Sequence, residues 1–97
     1  MKSLDIIKIF LELIRQNFNG WSDIDEKIGE ITPDNIRKFI DCFLDNDEDL
    51  KNKYKKFRPK IQKQICAKVA EYLQFNKEMK YGFTESFVMP VCIVPWE

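Results

Sequence analysis

Residues 3–18 read SLDIIKIFLELIRQNF, and this stretch decides the fold because its apolar residues recur every three to four positions. That spacing places them on one face of an α-helix. The residues of this face are Ile7, Phe10, Leu11, Ile14 and Phe18. Three more apolar positions widen the face, which predicts a central helix with neighbours on more than one side. Ser3 is the expected N-cap, and Gly20 is the expected stop.

Capping residues predict two helical segments after this first helix. Ser22, with Asp25 three residues later in capping-box spacing, predicts a short helical turn. Thr32 before Pro33 predicts a helix that reaches about residue 44, since proline at the first helical position lacks an N–H that would be unpaired there anyway. The side chains of this helix that are expected to face the core are Ile36, Phe39, Ile40 and Phe43.

Pro59 separates the last two helical segments. Before it, Asp47 or Asn46 can cap a segment whose apolar residues share one helical face. These residues are Leu50, Tyr54 and Phe57. Pro59 itself opens the last helix, which ends by Gly82 at the latest, with Asn76 as the earlier alternative. The inward positions of this helix are Ile61, Ile65, Val69 and Leu73, with Cys66, Tyr72 and Met79 on its margins.

The C-terminal residues 83–97 change character, because they favour a strand while Pro90 and Pro95 prevent regular pairing. They are expected to form an extended apolar tail. A chain of 97 residues with 44% apolar residues can build one hydrophobic core. The sequence therefore predicts one all-α domain over residues 1–97, a four-helix bundle-like fold with one short helix. The tail is packed on the bundle or used in an interface.

The cysteines and the apolar runs indicate the compartment. Cys42, Cys66 and Cys92 are an odd number of widely spaced cysteines, unlike the framework of a small secreted scaffold. Charged residues interrupt the apolar N-terminal stretch at regular intervals, unlike the core of a signal peptide. The longest charge-free run is well short of the roughly 20 residues that span a bilayer. We therefore expect a soluble, cytoplasmic protein that does not bind a membrane.

The residues needed for most enzyme chemistry are missing from the sequence. The chain contains no histidine, which removes the usual partner of a serine or cysteine nucleophile and the commonest metal ligand. Alternating acids at positions 45, 47 and 49 resemble the start of a calcium loop, but Leu50 and Lys56 stand where glycine and glutamate are required. The three glycines are isolated, so there is no phosphate-binding loop. We expect no catalytic residue, no metal and no cofactor.

The charges are segregated along the chain. Residues 1–49 hold 12 acidic and 6 basic residues, whereas residues 50–80 hold 10 basic and 2 acidic residues. The acidic residues that lie where one predicted helix ends and the next begins are Asp41, Asp45, Asp47, Glu48 and Asp49. Capping and solvation are one interpretation, but Asp41 and Asp45 are unfavourable at the end of a helix. The cluster is therefore the first candidate for binding a protein partner.

A basic run without any acidic residue is the second candidate. Its members are Lys51, Lys53, Lys55, Lys56, Arg58, Lys60 and Lys63. Basic residues with aromatic residues between them are typical of nucleic-acid binding. Tyr54 and Phe57 align with Leu50, however, so they are expected to face the core instead of stacking on bases. The zero net charge also weakens this alternative.

The apolar tail is the third candidate. It is either a strap across the helices or an exposed surface for a partner, a second subunit or a larger assembly. The side chains of this possible apolar interface are Met89, Ile93 and Trp96. The sequence leaves the oligomeric state open.

In size, lack of histidine and acidic helix junction, the chain resembles the small helical immunity proteins with which bacteria neutralise a cognate toxin, often a nuclease. The resemblance covers the whole chain and depends on architecture, so it assigns no residue. It implies a protein partner whose basic active-site groove is blocked by acidic side chains, with aromatic anchors for specificity. The basic run departs from the uniformly acidic surface common in nuclease inhibitors. An RNA- or DNA-binding protein and a structural subunit are the alternatives.

Overall fold

The computed structural model describes residues 2–81 and 87–88 and has five α-helices in this part of the chain. They are α1 (Ser3–Asn17), α2 (Trp21–Lys27), α3 (Pro33–Asp45), α4 (Glu48–Lys55) and α5 (Pro59–Glu78). The predicted all-α fold is confirmed. The predicted number of four helices is wrong, because α2 and α4 are both separate short helices. α4 is a separate helix because Asp47 caps its first turn and Pro59 begins α5 soon after α4 ends.

The core lies where α1 and α3 both pack against α5, with α4 packed on α3. The predicted apolar face of α1 is buried, and Phe10 and Ile14 have no exposed surface. Full burial of an apolar side chain of this size contributes about 1.5–3 kcal/mol to stability. Residues 3–18 therefore supply the core face that their spacing predicts.

Two of the predicted helix caps are confirmed. The Thr32 hydroxyl oxygen accepts a hydrogen bond from the backbone N–H of Asn35 at 3.2 Å. The Asp47 carboxylate accepts one from the backbone N–H of Leu50 at 3.1 Å. Each cap satisfies an N–H group that the first helical turn leaves unpaired, which is typically worth about 1 kcal/mol.

The boundary between α1 and α2 differs from the prediction. α1 ends one residue before Phe18, which turns to an extended conformation and packs its ring edge-on against Phe39, with 5.5 Å between ring centroids. Gly20, the predicted stop of α1, is the N-cap of α2 at a φ of 110°, a conformation that favours glycine. The capping box predicted for Ser22 and Asp25 is wrong for the same reason, since α2 begins before Ser22.

The start of α1 is also shifted by one residue. Lys2 is the N-cap, and Ser3, the predicted cap, lies inside the first turn and is buried. The carbonyl oxygen of Lys2 accepts hydrogen bonds from the backbone N–H groups of Asp5 and Ile6. The helix therefore begins before the serine.

α5 contributes more to the core than the sequence predicts. Cys66 and Tyr72 are buried, so their predicted place on the margins is wrong. Because α1 and α3 both pack against α5, residues off its main apolar face also enter the core. Among the helices that the structure describes, none has the length and apolar character needed to cross a membrane.

Two residues of the predicted tail are described, and both contact the helices. Phe87 is buried, with its ring centroid 5.7 Å from that of Trp21 in α2. The backbone of Val88 is hydrogen-bonded to the side chain of Asn76 in α5. The three candidate interface residues of the tail lie outside the described residues, and they are Met89, Ile93 and Trp96.

Candidate partner-binding surface

The five acidic candidates lie together at the turn between α3 and α4, and all of them are exposed. We call this surface the acidic junction, and it consists of Asp41, Asp45, Asp47, Glu48 and Asp49. Asp45 is the last residue of α3 and Asp41 lies four residues before it, whereas Asp47 is the N-cap of α4 and Glu48 and Asp49 are its first residues. The two helices pack against each other.

Three members of the acidic junction have a local structural role. Asp47 caps α4, as described above. The carboxylate of Asp49 lies 3.0 Å from the ammonium nitrogen of Lys53, one helical turn later. Glu48 and Asp49 also place negative charge in the first turn of α4, where the helix dipole favours it. Helix stability alone explains these three positions.

Asp45 has no such role. It is the last residue of α3, where the carbonyl groups carry a partial negative charge, and the last turn of α3 has no basic residue. Within the part of the chain that the structure describes, neither Asp45 nor Asp41 forms an ion pair. Asp45 therefore places a negative charge at a helix end where the helix dipole disfavours it.

Replacing Asp45 with lysine is expected to stabilise the isolated domain by about 0.3–1 kcal/mol, because the new charge complements the end of α3. The melting temperature should rise by a few degrees, about 2–6 °C for a domain of this size. Thermal unfolding followed by circular dichroism measures this. A lower melting temperature would mean that Asp45 already stabilises the fold.

The basic run lies on α4, on the turn after it and on the first turns of α5. Its exposed members are Lys55, Lys56, Arg58, Lys60 and Lys63, whereas Lys51 and Lys53 are half-buried. Tyr54 is buried, and its hydroxyl donates a hydrogen bond to the carbonyl oxygen of Gln62 at 3.2 Å. Phe57 is half-buried against the core. Neither aromatic ring is exposed for stacking on a base.

A cleft of about 90 Å³ lies beside the acidic junction, between α3, α4 and the start of α5. Its lining residues are Arg37, Asp41, Tyr54, Pro59, Gln62, Lys63 and Cys66. Only Asp41 and Lys63 of this set are among the sequence candidates. The other residues come from three helices, and no spacing within one helix indicates that they meet.

Burial determines the chemistry of this cleft. The hydroxyl oxygen of Tyr54 lies 3.5 Å from the sulfur of Cys66. Burial raises the pKa of the Tyr54 phenol and also raises the pKa of the Cys66 thiol, because a charged form would lose its hydration. At neutral pH both groups therefore carry their protons. A protonated, buried thiol is a poor nucleophile.

These raised pKa values predict a loss of stability in alkali. The unfolded thiol ionises near its ordinary pKa of 9.0, whereas the folded thiol still holds its proton there, so unfolding releases a proton above that pH. The stabilisation is complete below pH 9 and decreases as the pH rises further, with Tyr54 adding to the loss above its ordinary pKa of 10.0. Melting temperatures between pH 7 and 11 measure this. Cys66→Ala should show a shallower decline between pH 9 and 10, and an identical decline would contradict the assignment.

Among residues 2–81 and 87–88, no group of three or more acidic or cysteine side chains is arranged so that it could hold a metal ion. Cys42 is exposed on α3 and Cys66 is buried, and both are free thiols. Cys92 lies outside the described residues.

Comparison of the chain with protein-family models, with curated proteins and with solved structures finds no match. The resemblance to immunity proteins stays a prediction from the sequence. The function proposed below therefore depends on the chain's own residues.

Proposed function

We propose that this chain is a non-enzymatic protein-binding module that neutralises a basic partner protein, as an immunity protein neutralises a toxin. The acidic junction enters the partner's basic substrate groove and blocks access to it. A nuclease is the toxin class that this charge fits best, because its groove must attract phosphate groups.

The observation that carries this proposal is the exposed carboxylate of Asp45 at the end of α3. A lysine there would complement the helix dipole, whereas the aspartate opposes it. Positions that break a local rule of stability without a local compensation are expected at functional sites. Asp45 is next to the capped first turn of α4, so a partner would meet a preformed acidic surface.

The cleft beside the acidic junction supports a binding function over a catalytic one. Its thiol and its phenol are both held in the protonated form by burial, and the chain has no histidine to activate either group. The free thiols of Cys42 and Cys66 support a reducing, cytoplasmic setting for this function.

Nucleic-acid binding by the basic run is the alternative function. The exposed lysines of the basic run favour this alternative. The position of Tyr54 weakens this alternative, because a buried ring cannot stack on a base. Glu48 and Asp49 of the acidic junction lie on α4 together with part of the basic run, and Asp49 pairs with Lys53, so a phosphate backbone would meet mixed charge.

Two matched double variants separate these functions. The acid-reversed variant carries Asp45→Lys and Glu48→Lys, and the base-reversed variant carries Lys56→Glu and Lys60→Glu. In each variant one change favours its helix dipole and the other opposes it, since position 48 begins α4, position 56 ends it and position 60 begins α5. Both variants should therefore keep nearly the stability of the unmodified chain.

The test is capture from a lysate of the producing cells, with the unmodified chain and both variants as baits and mass spectrometry as the readout. We expect one basic protein to be retained by the unmodified and base-reversed baits and lost from the acid-reversed bait. Retention of RNA by the unmodified and acid-reversed baits, with its loss from the base-reversed bait, would replace the proposal with the alternative.

A further inference from the structure

The cleft beside the acidic junction has a neutral floor and a charged rim. Its floor is formed by the buried side chains of Tyr54 and Cys66, whose raised pKa values keep both protonated at neutral pH. Its rim carries three exposed charged residues from two helices, and they are Arg37, Asp41 and Lys63. The cleft volume of about 90 Å³ corresponds to about three water molecules, at roughly 30 Å³ each in the liquid. The cleft therefore has room for one small ion and not for a nucleotide.

The three charges of the rim are not neutralised by one another. Arg37 and Asp41 lie one helical turn apart on α3, yet in the part of the chain that the structure describes neither of them forms an ion pair, and Lys63 forms none either. Burial is the main cause of the raised pKa values on the floor, and the charges of Arg37 and Asp41 also act on both floor groups. The charged ends of these two side chains therefore lie near the floor, and the rim offers two cations and one carboxylate to a ligand.

The first turn of α5 adds a partial positive charge at the cleft. Pro59, the first residue of this helix, lines the cleft, and no side chain caps the helix. This turn also has no acidic residue, in contrast to the first turns of α3 and α4. The N-terminus of a helix attracts anions, because its N–H groups and the positive end of its dipole lie there. Together with Arg37 and Lys63, this helix end makes the cleft attract an anion more strongly than a cation.

We propose that the cleft binds one inorganic phosphate ion in its hydrogen phosphate form. Arg37 and Lys63 pair with the phosphate oxygens, and the planar guanidinium of Arg37 can donate to two of them at once. Asp41 repels an anion that carries no proton. Hydrogen phosphate has a P–OH group, however, which donates a hydrogen bond to the Asp41 carboxylate. One carboxylate beside two cations therefore selects an oxyanion that still carries a proton.

Asp41 determines which related anions the cleft excludes. Sulfate has the same tetrahedral shape as hydrogen phosphate but carries no proton at neutral pH. The phosphodiester groups of a nucleic-acid backbone carry none either, so this site is distinct from nucleic-acid binding by the basic run. A phosphate monoester loses its last proton at about pH 6, so at pH 7.5 most of it also lacks the donor. The ligand is therefore free phosphate, and the inference does not depend on the proposed function.

The test is an NMR titration of the isotope-labelled full chain at pH 7.5 and constant ionic strength, with inorganic phosphate, sulfate and methyl phosphate in turn. Concentrations up to about 50 mM are suitable, because interactions between exposed charges are weak. We expect phosphate to shift the backbone N–H signals of Arg37, Gln62 and Lys63 until the site is saturated. Sulfate and methyl phosphate should bind at least about fivefold more weakly, because neither donates a hydrogen bond to Asp41.

Three variants at exposed positions of α3 locate the ion without disturbing the core. Arg37→Gln should weaken phosphate binding about 10- to 100-fold, the range for a hydrogen bond to a charged group. Lys38→Gln is the matched control, because it removes an exposed cation at the next position, outside the cleft, and should leave binding nearly unchanged. Asp41→Asn removes the repulsion and should let sulfate bind about as tightly as phosphate.

Three results of this titration would contradict the phosphate site. A titration in which phosphate produces no saturable shift would overturn the proposal. Shifts that Arg37→Gln reduces no more than Lys38→Gln would overturn it as well, because the ion would then lie outside the cleft. Equal binding of phosphate and of either other anion by the unmodified chain would show that Asp41 selects no proton, and the assignment of free phosphate would be wrong.

Discussion

Asn76→Ala is expected to lower the free energy of unfolding by about 2–4 kcal/mol, because it removes a fully buried side chain together with its two hydrogen bonds to the partly buried backbone of Val88. The Asn76 side chain has no exposed surface and bonds both backbone groups of Val88. It also donates to the carbonyl oxygen of Tyr72 at 2.7 Å. For a domain of this length the melting temperature should fall by roughly 10–20 °C.

Asn17→Ala is the matched control for this variant. Asn17 donates to the carbonyl oxygen of Leu13 at 2.7 Å, four residues earlier, which is the same local bond that Asn76 makes to Tyr72. Asn17 is exposed and ends α1, so water replaces the lost bond and the cost should stay below about 1 kcal/mol. Equal losses from the two variants would mean that the contact between Asn76 and Val88 contributes nothing to stability. Urea or thermal unfolding of both variants decides this.

The sequence predicts those parts of this fold that depend on one helix at a time. The spacing in residues 3–18 predicts the buried face of α1, and Thr32 and Asp47 predict the starts of α3 and α4. Each of these signals lies within or directly beside one helix. Local spacing and capping are therefore sufficient to predict them.

The predictions for the end of α1 and for the burial of two α5 residues are wrong, because contacts between helices determine both. Phe18 leaves α1 because its ring packs on Phe39 in α3, so Gly20 caps the next helix instead of ending the first one. Cys66 and Tyr72 are buried because other helices pack on α5, and Cys66 contacts Tyr54 in α4. None of these contacts has a signal within its own helix.

The candidate sites also differ in how far the sequence predicts them. The acidic junction is visible in the sequence because its five residues lie within nine positions of one another. The cleft is formed by residues from three helices, and the role of Asn76 depends on Val88, twelve positions later. An asparagine near the end of a helix usually indicates only where that helix stops, so its contact with Val88 could not be predicted.

The acid-reversed variant is expected to associate about 10- to 100-fold more slowly with the captured partner at low salt. Charges at the edge of an interface act mainly on the association rate, because they steer the two proteins before contact. Asp45 and Glu48 are exposed and have no ion-pair partner among the described residues, so their full charge acts on an approaching protein. The dissociation rate should change much less.

The base-reversed variant is the control for this rate. It changes the net charge by the same amount in the opposite sense, at Lys56 and Lys60, which are exposed near the start of α5. A basic partner should associate with it at the rate of the unmodified chain or slightly faster. A slower rate would place the binding surface on the basic run.

The most direct test of the proposed function is the association rate of the captured partner with the three proteins, measured by stopped-flow fluorescence at 0.05 M and 1 M NaCl. We expect the acid-reversed variant alone to associate slowly at 0.05 M and the three rates to converge at 1 M, where exposed charges are screened. Equal rates for the unmodified and acid-reversed proteins at 0.05 M would contradict the account, because the acidic junction would then take no part in binding.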